Sequence, residues 1–123
     1  MAGNKILNVQ PQFVASAAGN LLNPNVTAVT GPVGFTMTQP YLIIKHVRIT
    51  NNDSASHTVS FWKGATGAHA GGTEVFFANY ALAAGAYQDW YGQMRVDSAD
   101  FITGSADASQ KVTITFDCEI GVS

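Results

Sequence analysis

The sequence has few charged residues. Asp, Glu, Lys and Arg make up 11% of the 123 residues, less than half the roughly 25% of ordinary soluble domains. The six Lys and Arg residues are scattered, so they form no basic patch of the kind that neutralises nucleic-acid phosphates. The hydrophobic content of 46% excludes a disordered chain, which requires low hydrophobicity and high charge. We therefore expect a folded protein that does not bind nucleic acid.

Cysteine pairs and long apolar runs are also missing. Cys118 is the sole cysteine, so no internal disulfide is possible. No run approaches the roughly 18 apolar residues of a membrane helix, and we expect no membrane partner. Residues Met1–Asn8 contain no long apolar segment, which favours synthesis in the cytoplasm without a signal peptide.

Residues that favour helices, apart from Ala, are scarce. Val, Ile and Thr together number 29, and their stiff branched side chains suit a pleated sheet. About eight short apolar segments separated by turn formers predict an all-β protein, an antiparallel β-sandwich or jelly roll. All four prolines lie within the first 40 residues. We therefore predict an extended N-terminal arm at residues 1–12 and a single sandwich domain at residues 13–123.

The clearest strand signal lies near the C-terminus. From Lys111 to Ile120, apolar and polar residues alternate strictly. This period of two predicts a strand with one buried face and one wet face. Cys118 lies on the apolar face, where we expect a buried, protonated thiol that is not a nucleophile.

A hairpin is predicted between Tyr41 and Lys63. Pairing Ile49 with Val59 and Val47 with Phe61 matches apolar residues on one face. The intervening residues 51–57 are rich in turn formers. In this register the two chain segments are neighbours in one sheet.

The predicted hairpin has two unfavourable features. It brings Lys45 beside Lys63 on the apolar side, and it leaves Leu42 and Ile44 on a second apolar face. We expect the N-terminal segment or a neighbouring subunit to cover that face.

No catalytic constellation is evident. His46, His57 and His69 show no metal-ligand spacing, and we interpret them as unpaired surface or loop histidines. The sequence has no G-x-S-x-G nucleophile motif. We interpret Asp97 and Asp100 as turn formers. The protein is therefore predicted not to be an enzyme, with no cofactor and no metal site.

Three aromatic residues are candidates for binding. Trp62 falls on a nominally polar strand face, and Trp90 and Tyr91 lie beside Gln88, Asp89 and Gln93. Exposed aromatic rings among amides and carboxylates grip sugars or anchor protein interfaces. The alternative is that the tryptophans cover the end of the sandwich.

Four segments between residues 41 and 122 carry a resemblance, namely Tyr41–Asn51, Phe61–Gly67, Leu82–Gly92 and Ser98–Phe101. In these segments the chain resembles small structural proteins of tailed bacteriophage virions. The resemblance implies a capsid decoration (cement) protein that binds the phage head across subunit junctions, or a neck, tail or fibre component. The implied partners are the major capsid protein and further copies of the chain, as a dimer or trimer. The implied location is the virion, after synthesis in the host cytoplasm.

The resemblance carries no catalytic motif, so contact residues are predicted from the sequence itself. The predicted partner-interface residues lie in the arm, on the second apolar face and among the aromatics: Lys5, Ile6, Leu7, Leu42, Ile44, Trp62, Trp90 and Tyr91. A carbohydrate-binding sandwich module built on the three aromatics is the other open alternative.

Overall fold

The computed structural model describes residues 5–23, 40–97 and 99–122. Over these residues it contains strands and no helix. The strands are β1 (Lys5–Phe13), β2 (Gly19–Leu22), β3 (Pro40–Asn51), β4 (His57–Gly64), β5 (Tyr80–Leu82), β6 (Tyr87–Val96), β7 (Phe101–Ala106) and β8 (Val112–Val122). No helix within the described residues is long and apolar enough to cross a membrane.

The strands form two four-stranded antiparallel sheets. The first has the order β1-β8-β3-β6 and the second β2-β7-β4-β5. Four of the pairs join strands counted from opposite ends of the chain, namely β1 with β8, β2 with β7, β3 with β6 and β4 with β5. One long antiparallel hairpin rolled up into two sheets gives this order, which is that of a jelly roll. The predicted fold class is confirmed.

The apolar alternation of the strands builds the core between the two sheets. In β8, Val112, Ile114, Phe116 and Cys118 point inward and are buried, as their period of two predicts. They meet Val59 and Phe61 of β4 and Ile102 of β7 from the opposite sheet. The predicted C-terminal strand is therefore confirmed.

The predicted β3–β4 hairpin is wrong. Strand β3 pairs with β6 on one side and β8 on the other, while β4 pairs with β5 and β7 in the second sheet. The five residues 52–56 cross between sheets. Ile49 and Val59 are both buried in the core between the two sheets. The inward faces of β3 and β4 are both apolar. In the sequence, pairing these strands within one sheet therefore looks as favourable as packing them against each other across the core.

A bulge in β3 explains the positions of Leu42 and Ile44. Against β8, the two steps from Ile44 to His46 face the single step from Cys118 to Asp117, which makes Lys45 the extra residue. Against β6 the same two steps face three, from Met94 to Tyr91, so there the extra residue belongs to β6. Leu42 and Ile44 consequently share the inward face with Val47, and both are 0% exposed. There is no second apolar face for a partner to cover. Lys45 and Lys63 are not paired either, because β3 and β4 belong to different sheets. Lys45 Nζ instead lies 3.5 Å from Glu119 Oε2.

The predicted N-terminal arm is, over residues 5–12, part of the sandwich. These residues belong to β1, which pairs antiparallel with β8 from Lys5 opposite Ile120 to Phe13 opposite Thr113. Residues 5–12 are therefore part of an edge strand of the first sheet and do not extend away from the domain as an arm. Residues 1–4 of the predicted arm lie outside the described residues.

The glycine-rich loop that follows β4 covers the second sheet. A Cβ on Gly64 would lie 2.9 Å from the Ala68 Cβ, so glycine permits the close approach of the loop. Thr103 is fully buried beneath it and donates to the Ala68 carbonyl at 2.7 Å. Further along, Phe76 adopts a φ of 61°, a strained value for a bulky residue. Its ring packs 4.8 Å from that of Trp90.

Candidate functional site

The outer face of the first sheet carries a row of polar and charged side chains on three adjacent strands. His46 in β3 is flanked by Asp117 in β8 and lies near Asp89 in β6. The bulge at Lys45 leaves His46 facing outward, because an unbroken alternation of side chains after the inward-facing Ile44 would point residue 46 into the core. The same irregularity that buries Ile44 therefore creates this site.

His46 bridges two carboxylates. Its Nδ1 lies 2.7 Å from Asp117 Oδ2 and its Nε2 lies 2.8 Å from Asp89 Oδ1. Burial lowers the pKa of His46, but the hydrogen bonds to Asp117 and Asp89 outweigh it, so the pKa is raised above 6.5. An ionised carboxylate can only accept hydrogen bonds, so both ring nitrogens must carry a proton to make both bonds. The geometry is that of an imidazolium.

Asp89 is the most strongly held carboxylate of the row. Arg48 Nε and Nη2 donate to its two oxygens at 2.7 and 3.0 Å, a bidentate geometry. The hydrogen bonds from Arg48 and then His46 lower the pKa of Asp89 to about 2. Asp89 thus stays ionised and joins two residues of β3 to β6.

A second bridge of the same kind lies at one end of the sandwich. His57 Nδ1 lies 2.7 Å from Asp107 Oδ1, and His57 Nε2 lies 2.7 Å from Asp53 Oδ2. Hydrogen bonds to Asp53 and Asp107 raise the pKa of His57. The hydrogen bond from His57, followed by that from the Ser54 N–H, lowers the pKa of Asp53. This bridge ties the β3–β4 loop to the β7–β8 loop.

The interpretation of the histidines as unpaired is therefore wrong for His46 and His57. Asp89 and Asp117 are 43 and 71 residues from His46 in the sequence, and Asp107 is 50 residues from His57. Residues so far apart form no local sequence motif. The four-residue spacing of Asp53 and His57 is the one local signal. His69 packs edge-on against Trp62, with ring centroids 5.2 Å apart.

The two bridges bind strands and loops together. Every ring nitrogen of His46 and His57 already faces a carboxylate, so neither imidazole faces a nucleophile that it would activate. Within the described parts of the chain, no group of three or more His, Cys, Asp or Glu is arranged to hold a metal. Burial raises the pKa of Cys118 to about 12, which suppresses the thiolate.

Comparison with known proteins finds a structural neighbour. No protein-family model matches the chain, and no curated protein matches its sequence. A chain of the virus-like particle of extra small virus from the giant freshwater prawn Macrobrachium rosenbergii, solved by cryo-EM, has a similar structure. The TM-score is 0.51 at 13% identity, over 98% of this chain and 80% of that chain. The two chains share a fold.

The three candidate aromatics do not form one platform. Trp62 points to the outer side of the second sheet, where it packs against His69. Trp90 points inward and packs against the core through Phe76. Tyr91 lies on the outer face of the first sheet and is 72% exposed. A sugar-binding platform that combines all three is therefore incompatible with the fold.

Of the predicted contact residues, Tyr91 is the most accessible side chain that the structure describes. Its ring stacks on that of His46, with centroids 4.7 Å apart and planes 21° apart. Leu42 and Ile44 are buried within the chain, which excludes them as contacts of the folded domain. Lys5, Ile6 and Leu7 lie in β1, and their role as contacts stays a prediction. Sequence reasoning missed Tyr87, which is 58% exposed under the Arg48 guanidinium.

Proposed function

We propose that this chain is a structural protein of a virus particle and that it serves as a decoration protein on the assembled capsid. The observation that carries the virion role is the jelly-roll strand order, together with a similarity that spans 98% of the chain to a chain of a virus-like particle. Jelly rolls are frequent in viral capsid proteins. The resemblance of residues 41–122 to small phage virion proteins supports the decoration role.

The chemistry of the described residues supports a mechanical role. The ionic groups of His46, Arg48, Asp89 and Asp117 are used to join β3, β6 and β8 to one another. A charge content of 11% leaves a surface of small neutral groups that desolvate at little cost when subunits pack. A decoration protein stabilises an assembled shell because it binds that state and not the dissociated subunits.

The proposed partner is the major capsid protein of the same virion, bound in many symmetric copies. Occupancy of repeated sites multiplies modest contacts. At a concentration a hundred times the dissociation constant, each bound site gains about 2.7 kcal/mol of stability by mass action. The proposed location is the outer surface of the capsid.

A second candidate, a subunit of the shell itself, is favoured by the structural neighbour. That neighbour is a chain of a virus-like particle, and this chain covers 80% of it. A shell subunit forms the container, whereas a decoration protein can be removed from it. Removal of this chain should therefore leave a closed shell if it is a decoration protein, and no shell if it is a shell subunit.

The test is to strip the protein from purified particles. Particles are treated with graded denaturant, and released protein is measured beside electron micrographs and copy number relative to the most abundant shell protein. A decoration protein is released at low denaturant, in hundreds of copies, from shells that stay closed. Collapse of the shell in step with release indicates the shell-subunit role. A dozen copies or fewer would place the chain in a neck, tail or fibre, and absence from particles would reject the virion role.

A further inference from the structure

Strand β6 forms one edge of the first sheet. It pairs with β3, and the Asn51 N–H donates to the Ala86 carbonyl at 2.9 Å just before β6 begins. Residues of an antiparallel strand alternate between hydrogen-bonding to one side and to the other. Since Ala86 bonds to β3, the main-chain groups of Tyr87, Asp89 and Tyr91 face the open edge. Within residues 5–23, 40–97 and 99–122, no strand pairs with that edge.

β6 differs from the other three edge strands of the two sheets. Edge strands are protected against pairing by proline, by lysine or by short length. β1 contains Lys5 and Pro11, whereas β2 and β5 have four and three residues. β6 has ten residues and contains neither proline nor lysine. Its two charged residues, Asp89 and Arg95, already have partners of opposite charge within the chain. Among the described residues, β6 is the long edge strand that has neither proline nor lysine.

β6 also carries two of the three large hydrophobic side chains that are exposed among the described residues. Tyr91 is 72% exposed and Tyr87 is 58% exposed. The Arg48 guanidinium lies 4.3 Å above the Tyr87 ring, and the His46 ring stacks on Tyr91. Tyrosine is enriched at the centres of protein interfaces, and side chains that are already ordered lose less entropy on binding.

The sequence of β6 is complementary to itself. When two copies of β6 run antiparallel with their Gly92 residues opposite each other, Asp89 of one copy lies opposite Arg95 of the other, because each is three positions from Gly92. The two-fold axis repeats this pair of opposite charges. The two Tyr91 rings then become diagonal neighbours, about 7–8 Å apart and within reach of each other. Gly92 has no side chain to obstruct the axis.

We propose that two copies of this chain pair through β6 in that register, so that their first sheets join into one eight-stranded sheet. The occupant is a second copy because the same strand supplies both charges. Across the axis, Arg95 would be a further partner for Asp89 beside Arg48, and Asp89 a further partner for Arg95 beside Asp97. A two-fold interface of this kind is closed and gives a dimer. The proposal concerns the isolated protein in solution, so it stands or falls separately from the role in a virus particle.

The test is sedimentation equilibrium of the intact chain and of two matched variants. The wild type is expected to associate to twice its mass of 13.0 kDa. Tyr91→Lys places two lysines near the axis and is expected to raise the dimer dissociation constant at least about tenfold. Phe13→Lys, on the opposite edge strand where Phe13 is 53% exposed, is the control and should leave dimerisation unchanged.

The register is tested with Arg95→Asp, which places a carboxylate opposite Asp89 and is also expected to weaken the dimer at least about tenfold, whereas Arg95→Lys should keep most of the affinity. Far-UV circular dichroism confirms that each variant folds. A wild type that is monomeric at every soluble concentration overturns the proposal. So does a dimer that survives both Tyr91→Lys and Arg95→Asp, or one that Phe13→Lys abolishes.

Discussion

His46 in β3 and Asp117 in β8 are joined by a 2.7 Å contact between the imidazole Nδ1 and a carboxylate oxygen. The other ring nitrogen of His46 meets Asp89 in β6. One imidazole thus links three adjacent strands through two charge-assisted hydrogen bonds, which are stronger than bonds between neutral groups. Because both bonds need a protonated ring, the strength of this link depends on pH.

The first prediction is that the link weakens in alkali. The pKa of His46 is raised in the folded protein, so its contribution to stability is fully present below the unfolded value of 6.5 and is lost as the pH rises through the folded pKa. Thermal unfolding of the wild type and His46→Gln should therefore differ most at about pH 6 and least at about pH 9. A difference in Tm that stays constant over this range would contradict the prediction.

NMR titration of the His46 ring provides the matched measurement. Asp117→Asn keeps the shape of the side chain but removes one of the two charges, so the pKa of His46 should fall relative to the wild type. A pKa that is unchanged in Asp117→Asn would show that Asp117 does not stabilise the imidazolium.

The second prediction concerns Asp89 and Arg48. The pKa of Asp89 is lowered to about 2, so its contribution to stability is present above the unfolded value of 3.8 and is lost as the pH falls through about 2. Carboxyl NMR titration of Arg48→Met should show the midpoint of Asp89 moving up toward 3.8. Lys45→Met is the control, because Lys45 Nζ lies 3.5 Å from Glu119 Oε2 instead. Equal shifts in both variants would contradict the assignment.

The third prediction concerns Gly104 of β7, whose buried position leaves no room for a side chain. A Cβ there would lie 2.6 Å from Phe61 Cδ1 and 2.8 Å from Leu21 Cδ1. Gly104→Ala should therefore lower the free energy of unfolding by about 1–3 kcal/mol through overpacking. Its cross-strand partner Gly19 meets nothing closer than 3.9 Å, so Gly19→Ala should change stability by less than about 0.5 kcal/mol. Urea unfolding of both variants checks the contrast, and equal losses would contradict it.

The sequence predicts the strands of this protein better than their partners. Strict alternation identifies β8, because its period depends on one strand having one buried face. The sequence offers β3 several apolar strands as pairing partners. Pairing Val47 and Ile49 with Val59 and Phe61 of β4 appears as favourable as the observed pairing with β6 and β8. Strand order is a long-range property, and alternation along one strand does not encode it.

The sequence does not predict the candidate site, for a related reason. The outward position of His46 depends on the extra residue Lys45, and nothing in the local composition marks a bulge there. Its partners Asp89 and Asp117 come from strands that become neighbours of β3 through the jelly-roll order. The prediction of Tyr91 as a contact depends only on its polar sequence neighbours, which is local information. The sequence therefore indicates exposed residues more readily than ion pairs between distant strands.

The fourth prediction is that Cys118 is inert in the folded protein. Burial raises its pKa from 9.0 to about 12, which lowers the thiolate fraction at neutral pH about a thousandfold, and the side chain is 2% exposed. Ala55→Cys, in the exposed β3–β4 loop, adds an accessible thiol as the matched comparison. With a disulfide reagent at about pH 8, this variant should yield one fast equivalent, and Cys118 should react only after denaturant is added. A thiol packed beside Ile44 and Phe116 can contact the reagent only when the sandwich opens. Reaction of both thiols at similar rates in the native protein would therefore show that Cys118 is not buried in the core.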